Sequence, residues 1–307
     1  MIKQPHEPFR ILFLGHDNTT DSRLAATYMT SLLDKKHYIV GYNSTGAHMS
    51  HTTKNMLTVA DVIIFMNKHA YNEAERVYDF DIRKSLVWHI PSSSIASERL
   101  PVHAPTGAHQ TIRRHCEKLR DYLTQAPWVD VVDNANKPTD LRLPLAWVTD
   151  RGLWHRGIYV IVRTHDGKFV VAKRSQSIIF APGMLEISLG GGVDIGENPR
   201  RTAQRETYEE LGIYAHEKDF QPLFIWRQVG YHPRYNKQTK AHIYAYAVTL
   251  PEDISKFTPQ LEEVAEIRIL SKRQVLHLLR THRMKHFGQL AWGYKMYQKA
   301  IALSTAL

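Results

Sequence analysis

The chain has 307 residues, 43% of them apolar and 23% charged, with 40 Lys and Arg against 30 Asp and Glu for a net charge of +10. These proportions belong to a globular protein long enough for two domains, and they exclude a fibrous or disordered chain. No apolar run approaches the roughly 20 residues of a bilayer-spanning helix, and Lys3, His6, Glu7, Arg10, His16 and Asp17 interrupt the start of the chain, so the expected address is the cytoplasm with no membrane association.

Cys116 is the single cysteine, which rules out an internal disulfide and any multi-cysteine metal site. The charge is uneven: residues 1–126 carry 15 basic and 12 acidic side chains, and the remainder carries 25 against 18. The densest basic stretch, Arg280, His282, Arg283, Lys285 and His286, lacks the aromatic interleaving of a single-strand binder. A small anionic partner is therefore favoured over nucleic acid.

In chain order, the apolar run Arg10–Leu14 predicts a strand, Ser22–Leu33 a helix and Ala60–Met66 a second strand. A helix over Lys68–Val77 and a strand over Val87–Ile90 follow. Alternating strands and helices imply a parallel sheet covered by helices. Beyond Pro127 the pattern changes. Gly157–Arg163 and Lys168–Lys173 are β-rich runs joined across Asp166 and Gly167, a hairpin signal, and His242–Val248 reads as another strand. Residues 134–140 have linker composition but lie inside the second domain. A last helix over Gln289–Leu303 aligns Leu290, Tyr294, Tyr297 and Ile301 on one face.

The segment from Gly191 to Ile213 is the most informative. Asn198 is a good N-cap, Pro199 a good first helical residue and Gly212 a good C-terminal stop, which predicts a helix over about 199–211. Glu206, Glu209 and Glu210 then stand at i, i+3 and i+4 on one face. Like charges at that spacing repel. A hard divalent cation with oxygen ligands relieves the repulsion, although Arg205 to Glu209 is also an ordinary i,i+4 ion pair. Gly190, Gly191 and Gly192, just ahead of the helix, permit close approach of backbone and ligand.

This segment resembles the signature of the Nudix hydrolases, Gly-x5-Glu-x7-Arg-Glu-U-x-Glu-Glu-x-Gly-U, at Gly191, Glu197, Arg205, Glu206, Glu209, Glu210, Gly212 and Ile213, with Thr207 at the first aliphatic position U. Seven fixed matches arise by chance on the order of once in a million for a chain of this kind. The resemblance implies that Glu206, Glu209 and Glu210 hold catalytic Mg²⁺ or Mn²⁺, that Glu197 supports the metal site, and that Arg205 orients the carboxylates. It implies water attack on a phosphoanhydride, with an additional carboxylate from Glu262 or Glu263, of which Glu263 is the preferred choice. Arg174 and the backbone at Gly191 and Gly192 are candidates for substrate phosphate contacts.

Residues Trp128 to Asn134, Leu153 to Gly157, Ala172 to Ser175, and Pro182 with Gly183 are similar to the Nudix subgroup related to isopentenyl-diphosphate isomerase. The isomerase cysteine is missing, since the strand before the signature reads Glu186 to Gly190, so isomerase chemistry is not expected. His155 matches a subgroup position and reads more simply as a structural histidine.

In the first part, Ile11 to Ala25, Asn43 to Gly46, Ser50 with His51, and Ala60 to Lys68 resemble the low-molecular-weight protein tyrosine phosphatases. Where that family places its nucleophilic cysteine and its phosphate-binding arginine, this chain has Gly15 and Asp21, and Ser92 and Ser93 replace the general-acid pair. No thiolate forms at Gly15, and Asp21 repels a phosphate; Arg23 points elsewhere on the helix. The domain is expected to be a pseudo-phosphatase that binds a ligand, binds a protein partner or packs on its neighbour.

Together these resemblances imply two domains: an N-terminal α/β parallel-sheet domain over 1–126 and a C-terminal α+β Nudix domain, an α/β/α sandwich, over 127–307. The leading function is a Mg²⁺-dependent hydrolase of a nucleoside diphosphate linked to another moiety. A non-catalytic nucleotide or nucleic-acid sensor and an RNA-end or cap-processing hydrolase stay open. The aromatic-rich stretch Trp226–Tyr235 either stacks a base or fills a β-surface.

Overall fold

A computed structural model describes residues 9–16, 21–33, 37–44, 51–90, 107–124, 127–177, 181–232, 237–251, 253, 257–284 and 291–306. The chain divides into two compact units, Met1–Ala126 and Pro127–Leu307.

The first unit contains β1 (Arg10–His16), α1 (Asp21–Leu32), β2 (Tyr38–Ser44), α2 (His51–Val59), β3 (Val62–Phe65), α3 (Lys68–Val77), β4 (Ser85–Val87) and α4 (Gly107–Thr124). Its strands form a parallel sheet in the order β2-β1-β3-β4. Such a sheet needs apolar residues on both faces, and Ile11 to Leu14 and Val62 to Phe65 are all buried. β4 begins earlier than the expected Val87–Ile90. Ser85 pairs with Ile63, and beyond the strand Trp88 and Ile90 still donate backbone hydrogen bonds to Phe65 and Met66. The signature loop of this unit is covered only in part: Asn18, Ser50, Ser92 and Ser93 lie outside the described residues. Asp21 and Ser22 are buried at the start of α1, and Arg23 is exposed.

The second unit contains β5 (Trp128–Val132), β6 (Pro138–Pro144), α5 (Leu145–Asp150), β7 (Trp154–Thr164), β8 (Phe169–Arg174), β9 (Leu185–Glu186), β10 (Ser188–Gly192), α6 (Pro199–Leu211), β11 (Gln221–His232), β12 (Lys237–Leu250), β13 (Val264–Leu270), α7 (Lys272–Arg280) and α8 (Ala291–Ser304). The strands make one mixed sheet of nine. Residues 134–140 are not a linker; they turn between β5 and β6 and lead into β6, with Asn136 at φ 66°. Gly167 turns the β7–β8 hairpin at φ 81°.

Alternation along β7 divides the core into two layers. Ile158, Val160 and Val162 pack with Leu189, Ala203 and Leu211 on the α6 side. Ile161 packs with Phe169, Val171, Val275, Leu279, Tyr297 and Ile301 on the side of α7 and α8. Each buried aliphatic side chain contributes about 1.5–3 kcal/mol, so the two layers fix both faces of the sheet. On the last helix Tyr297 and Ile301 are buried as expected, while Leu290 lies outside the described residues.

Candidate active site

The site is assembled between β10, the loop that follows it and the C-terminal half of α6. β10 runs antiparallel to β7 and sets Gly190 opposite Tyr159 and Gly191 opposite Ile158. The loop that follows is tied to β5: Ile195 N–H donates to Trp128 O at 3.0 Å, and Asp194 bridges Val129. Asn198 then caps α6, its side-chain oxygen accepting from Arg200 N–H at 3.0 Å and Arg201 N–H at 2.9 Å. Gly212 ends the helix in the left-handed region at φ 69°. The helix occupies 199–211, the span that its cap residues predict.

The three glycines differ in role. A Cβ on Gly191 would lie 2.1 Å from Glu206 Oε1, so this position must be bare for the carboxylate to rest against the strand. A Cβ on Gly190 would press on the Tyr159 ring at 2.6 Å. Gly192 instead abuts Leu145 and Val129; it packs on α5 and β5 and does not face Glu206.

Arg205 is the hub of the acidic residues. Its guanidinium meets Glu206 Oε1 and Glu209 Oε2 at 2.9 Å each, Glu197 Oε2 at 3.3 Å and Asp194 Oδ2 at 3.4 Å. Burial disfavours its charge, but Glu206, Asp194, Glu197 and Glu209 outweigh that effect and raise its pKa. Glu197 is also held by the Thr202 hydroxyl at 2.8 Å. Thr207, the departure from the signature, is fully buried and donates its hydroxyl to Ala203 O at 2.7 Å. The odd polar atom is thereby satisfied within the helix.

The carboxylates on α6 are not equivalent. Glu209 is exposed at 45%, whereas Glu206 is exposed at 13%. Burial, reinforced by the charge of Glu209, lifts the Glu206 pKa to about 7 even though Arg205 opposes the shift. Glu210 is 8% exposed and accepts a hydrogen bond from Gly190 N–H at 3.2 Å. Burial, followed by the charges of Glu186 and Glu206, pushes it well above the usual carboxylate range. Among the described residues no three Asp, Glu, His or Cys side chains are gathered closely enough to cage an ion. The reason is visible: Arg205 draws Glu206 and Glu209 one way while Glu210 turns to β10.

Two further acidic residues join the set without having been expected from sequence. Glu186 on β9 is 5% exposed and ion-paired to Arg174, and Asp194 has its pKa raised, first by burial and then by Glu197 and Glu209 against Arg205. Glu186 lies on β9, outside the signature, and Asp194 lies at one of its variable positions; spacing along one helix reveals neither. Of the pair 262 and 263, Glu263 is the one whose charge reaches both Glu206 and Glu210. The segment is pinned beside Arg174 by Ser175 N–H to Glu263 O at 2.8 Å and Ser177 Oγ to Glu262 O at 3.0 Å. His155 is 6% exposed, and burial holds its pKa down at about 4, as befits a neutral core histidine.

A family model described as the NUDIX domain matches residues 153–292. Those residues form a Nudix domain. An uncharacterised Nudix hydrolase of Yersinia pestis is 41% identical over 86 residues, covering 28% of this chain and 47% of the relative. The uncharacterised Nudix hydrolase YfcD of Escherichia coli K12 is 35% identical over 91 residues, covering 30% of this chain and 50% of the relative. This chain therefore spans about half the length of the curated relatives it matches. Among solved structures, the protein DR0079 of Deinococcus radiodurans aligns with 55% of this chain and 98% of its own at 19% identity and a TM-score of 0.42. The Nudix match covers α6 and the strands β7 to β13 around it.

Proposed function

We propose that this chain is a divalent-metal-dependent Nudix hydrolase that cleaves the phosphoanhydride of a nucleoside diphosphate linked to another moiety. The observation that carries this reading is the set of Asp194, Glu197, Glu206 and Glu209 held around the one guanidinium of Arg205 at 2.9–3.4 Å, with the buried Glu210 of the same helix turned to Gly190 N–H. An all-oxygen donor set whose members disfavour one another's charge fits a hard cation.

Glu206, Glu209 and Glu210 would hold Mg²⁺ or Mn²⁺, with Glu197 as support. The ion supplies neutralisation of the diphosphate charge and a lowered pKa for an attacking water. Arg205 positions the carboxylates through its contacts with Glu197, Glu206 and Glu209. Glu263, exposed beside them, accepts the proton of the attacking water. Arg174, oriented by Glu186, presents a planar fork suited to a phosphate oxygen, and Gly191 leaves the space that Glu206 occupies.

The test is a panel of nucleoside diphosphate derivatives with Mg²⁺ and Mn²⁺, using Glu209→Gln/Glu210→Gln as control. The expected result is metal-dependent release of phosphate-containing products from at least one compound, lost in the control. Turnover no greater than the control across the panel favours a non-catalytic nucleotide sensor instead. A second reading, RNA-end processing, draws on α7, where exposed Lys272, Arg273, His277 and Arg280 line a hollow of about 610 Å³. RNA affinity that falls steeply with salt supports that reading.

The first unit is proposed to be a pseudo-phosphatase with a binding role for a ligand or a protein partner. This proposal is supported by Gly15 and Asp21 at the positions where the chemistry needs a thiolate and a cation.

A further inference from the structure

The positive charge of this chain is concentrated at its end. Residues 267–307 contain eight Lys and Arg side chains and no Asp or Glu, against a net charge of +10 for the whole chain. Lys272, Arg273, His277 and Arg280 lie exposed on α7 around a hollow of about 610 Å³, where half-buried Leu276 is the single apolar lining residue. Arg283, just past the helix, is exposed as well. The hollow does not belong to the acidic site. α7 packs Val275 and Leu279 into the layer with Tyr297 and Ile301, whereas α6 packs into the layer on the other face of the sheet.

Stability of the fold does not account for these cations. Lys272 and Arg273 are the first two residues of α7, where the helix dipole favours acidic side chains over basic ones, and the first turn holds no acid. Glu266, the last acidic side chain in the sequence, is engaged by Arg268 at 2.7 Å and Lys173 at 4.0 Å. Among the described residues no carboxylate pairs with Lys272, Arg273, Arg280 or Arg283; Lys272 Nζ instead donates to Thr305 Oγ1 at 3.2 Å. Arg273, His277 and Arg280 repeat at i, i+4 and i+7, so they form one stripe along the helix. Like charges on one helix face repel unless a counter-charge is held there.

We propose that the α7 hollow is a binding site for closely spaced phosphate groups, set apart from the carboxylates of α6. Charge complementarity names the occupant. The guanidinium forks of Arg273 and Arg280 suit phosphate oxygens, the Lys272 ammonium adds a point charge, and the concavity brings all three to bear on one ligand. No aromatic side chain lines the hollow to stack a base, so phosphate, and not base, is what it reads. That chemistry occurs in small oligophosphates and in the backbone of a nucleic acid. Binding here is independent of the proposed hydrolysis.

The test is binding of inorganic tripolyphosphate, a short oligouridylate and poly-glutamate to the metal-free full chain, by calorimetry over a series of salt concentrations. Two triple variants are compared: Lys272→Gln/Arg273→Gln/Arg280→Gln in the hollow, and Lys54→Gln/Arg76→Gln/Arg114→Gln at exposed positions of the first unit. Each removes three positive charges, and equal Tm values show that both fold. Tripolyphosphate, oligouridylate or both are expected to bind at about millimolar concentration or below, with an affinity that falls as salt rises. The hollow variant is expected to weaken that binding at least about 10-fold and to flatten its salt dependence, while the control variant stays within about twofold of the wild type. Binding of tripolyphosphate alone assigns the hollow to small oligophosphates, and binding of oligouridylate alone assigns it to a nucleic-acid backbone. A chain that binds tripolyphosphate but hydrolyses nothing on the panel sinks the hydrolase alone. The phosphate site is overturned if neither phosphate ligand binds, if poly-glutamate binds as tightly as they do, or if the two triple variants weaken binding alike.

Discussion

Glu206 shows what burying a carboxylate costs a fold. Its folded pKa is about 7 against a usual 4.5, so the metal-free native state holds a proton more tightly than the unfolded chain. The contribution of Glu206 to stability is therefore highest below about pH 4.5 and falls as pH rises through 7. The shift corresponds to roughly 3 kcal/mol. Glu206→Gln should thus be more stable than the wild type at pH 8 without metal, and the two should converge near pH 5 in urea titrations. Using the difference between the two proteins is essential, because His155 acts with the opposite sign. Its folded pKa near 4, against 6.5, adds stability above pH 6.5 that is lost as pH falls towards 4. Equal stability of the two proteins at pH 8 would contradict the burial of an unneutralised carboxylate at 206. Gly191→Ala is a second residue-scale prediction. Its Cβ would displace Glu206 Oε1 from 2.1 Å, so kcat should fall about 100-fold with little change in Tm, since misplacing a catalytic group by about 1 Å costs that much.

At the scale of elements, α6 is held by its two ends. Asn198→Ala removes the acceptor for two helix N–H groups and should cost about 1 kcal/mol. Gly212→Ala should cost more, about 2 kcal/mol. It forces a side chain into the left-handed region and sets a Cβ 2.4 Å from Thr258 O, where the chain closes back on Leu211. Both are read as falls in urea midpoint, and the reverse ranking would contradict the closure at Thr258. These ends were legible in the sequence because capping is a local matter of residue type. The i, i+3, i+4 carboxylates were legible for the same reason. Glu186 and Asp194 were not, since they reach the cluster through the pairing of β8 with β9 and of the loop after β10 with Val129, contacts that no spacing encodes. Nor could spacing show that Glu209 is exposed while Glu210 is buried, or that Gly192 faces Leu145 and not the carboxylates. The start of β4 is masked in the sequence because the apolar Trp88 and Ile90 look like strand residues and do continue the hydrogen bonding, although the paired residues are Ser85 to Val87.

At the scale of the whole molecule, the chain joins a unit with an unbroken acidic signature to one for which a binding role without phosphatase chemistry is proposed. Its only thiol, Cys116, is buried with Sγ 3.7 Å from Ala25 O, and burial pushes its pKa up to about 12. No thiolate is therefore available at neutral pH. Hydrolysis of a generic aryl phosphate by the wild type should be no faster than the uncatalysed reaction; a rate above that background that survives Glu209→Gln/Glu210→Gln would contradict the proposal for the first unit. The proposed hydrolysis depends on acidic side chains around α6 accepting a divalent ion. The most direct measurement is an anomalous difference map from crystals soaked in manganese. The prediction is a peak bounded by Glu206 and Glu210 that disappears in Glu206→Gln/Glu210→Gln. A map with no peak there, or a peak that persists when both carboxylates are gone, would contradict it.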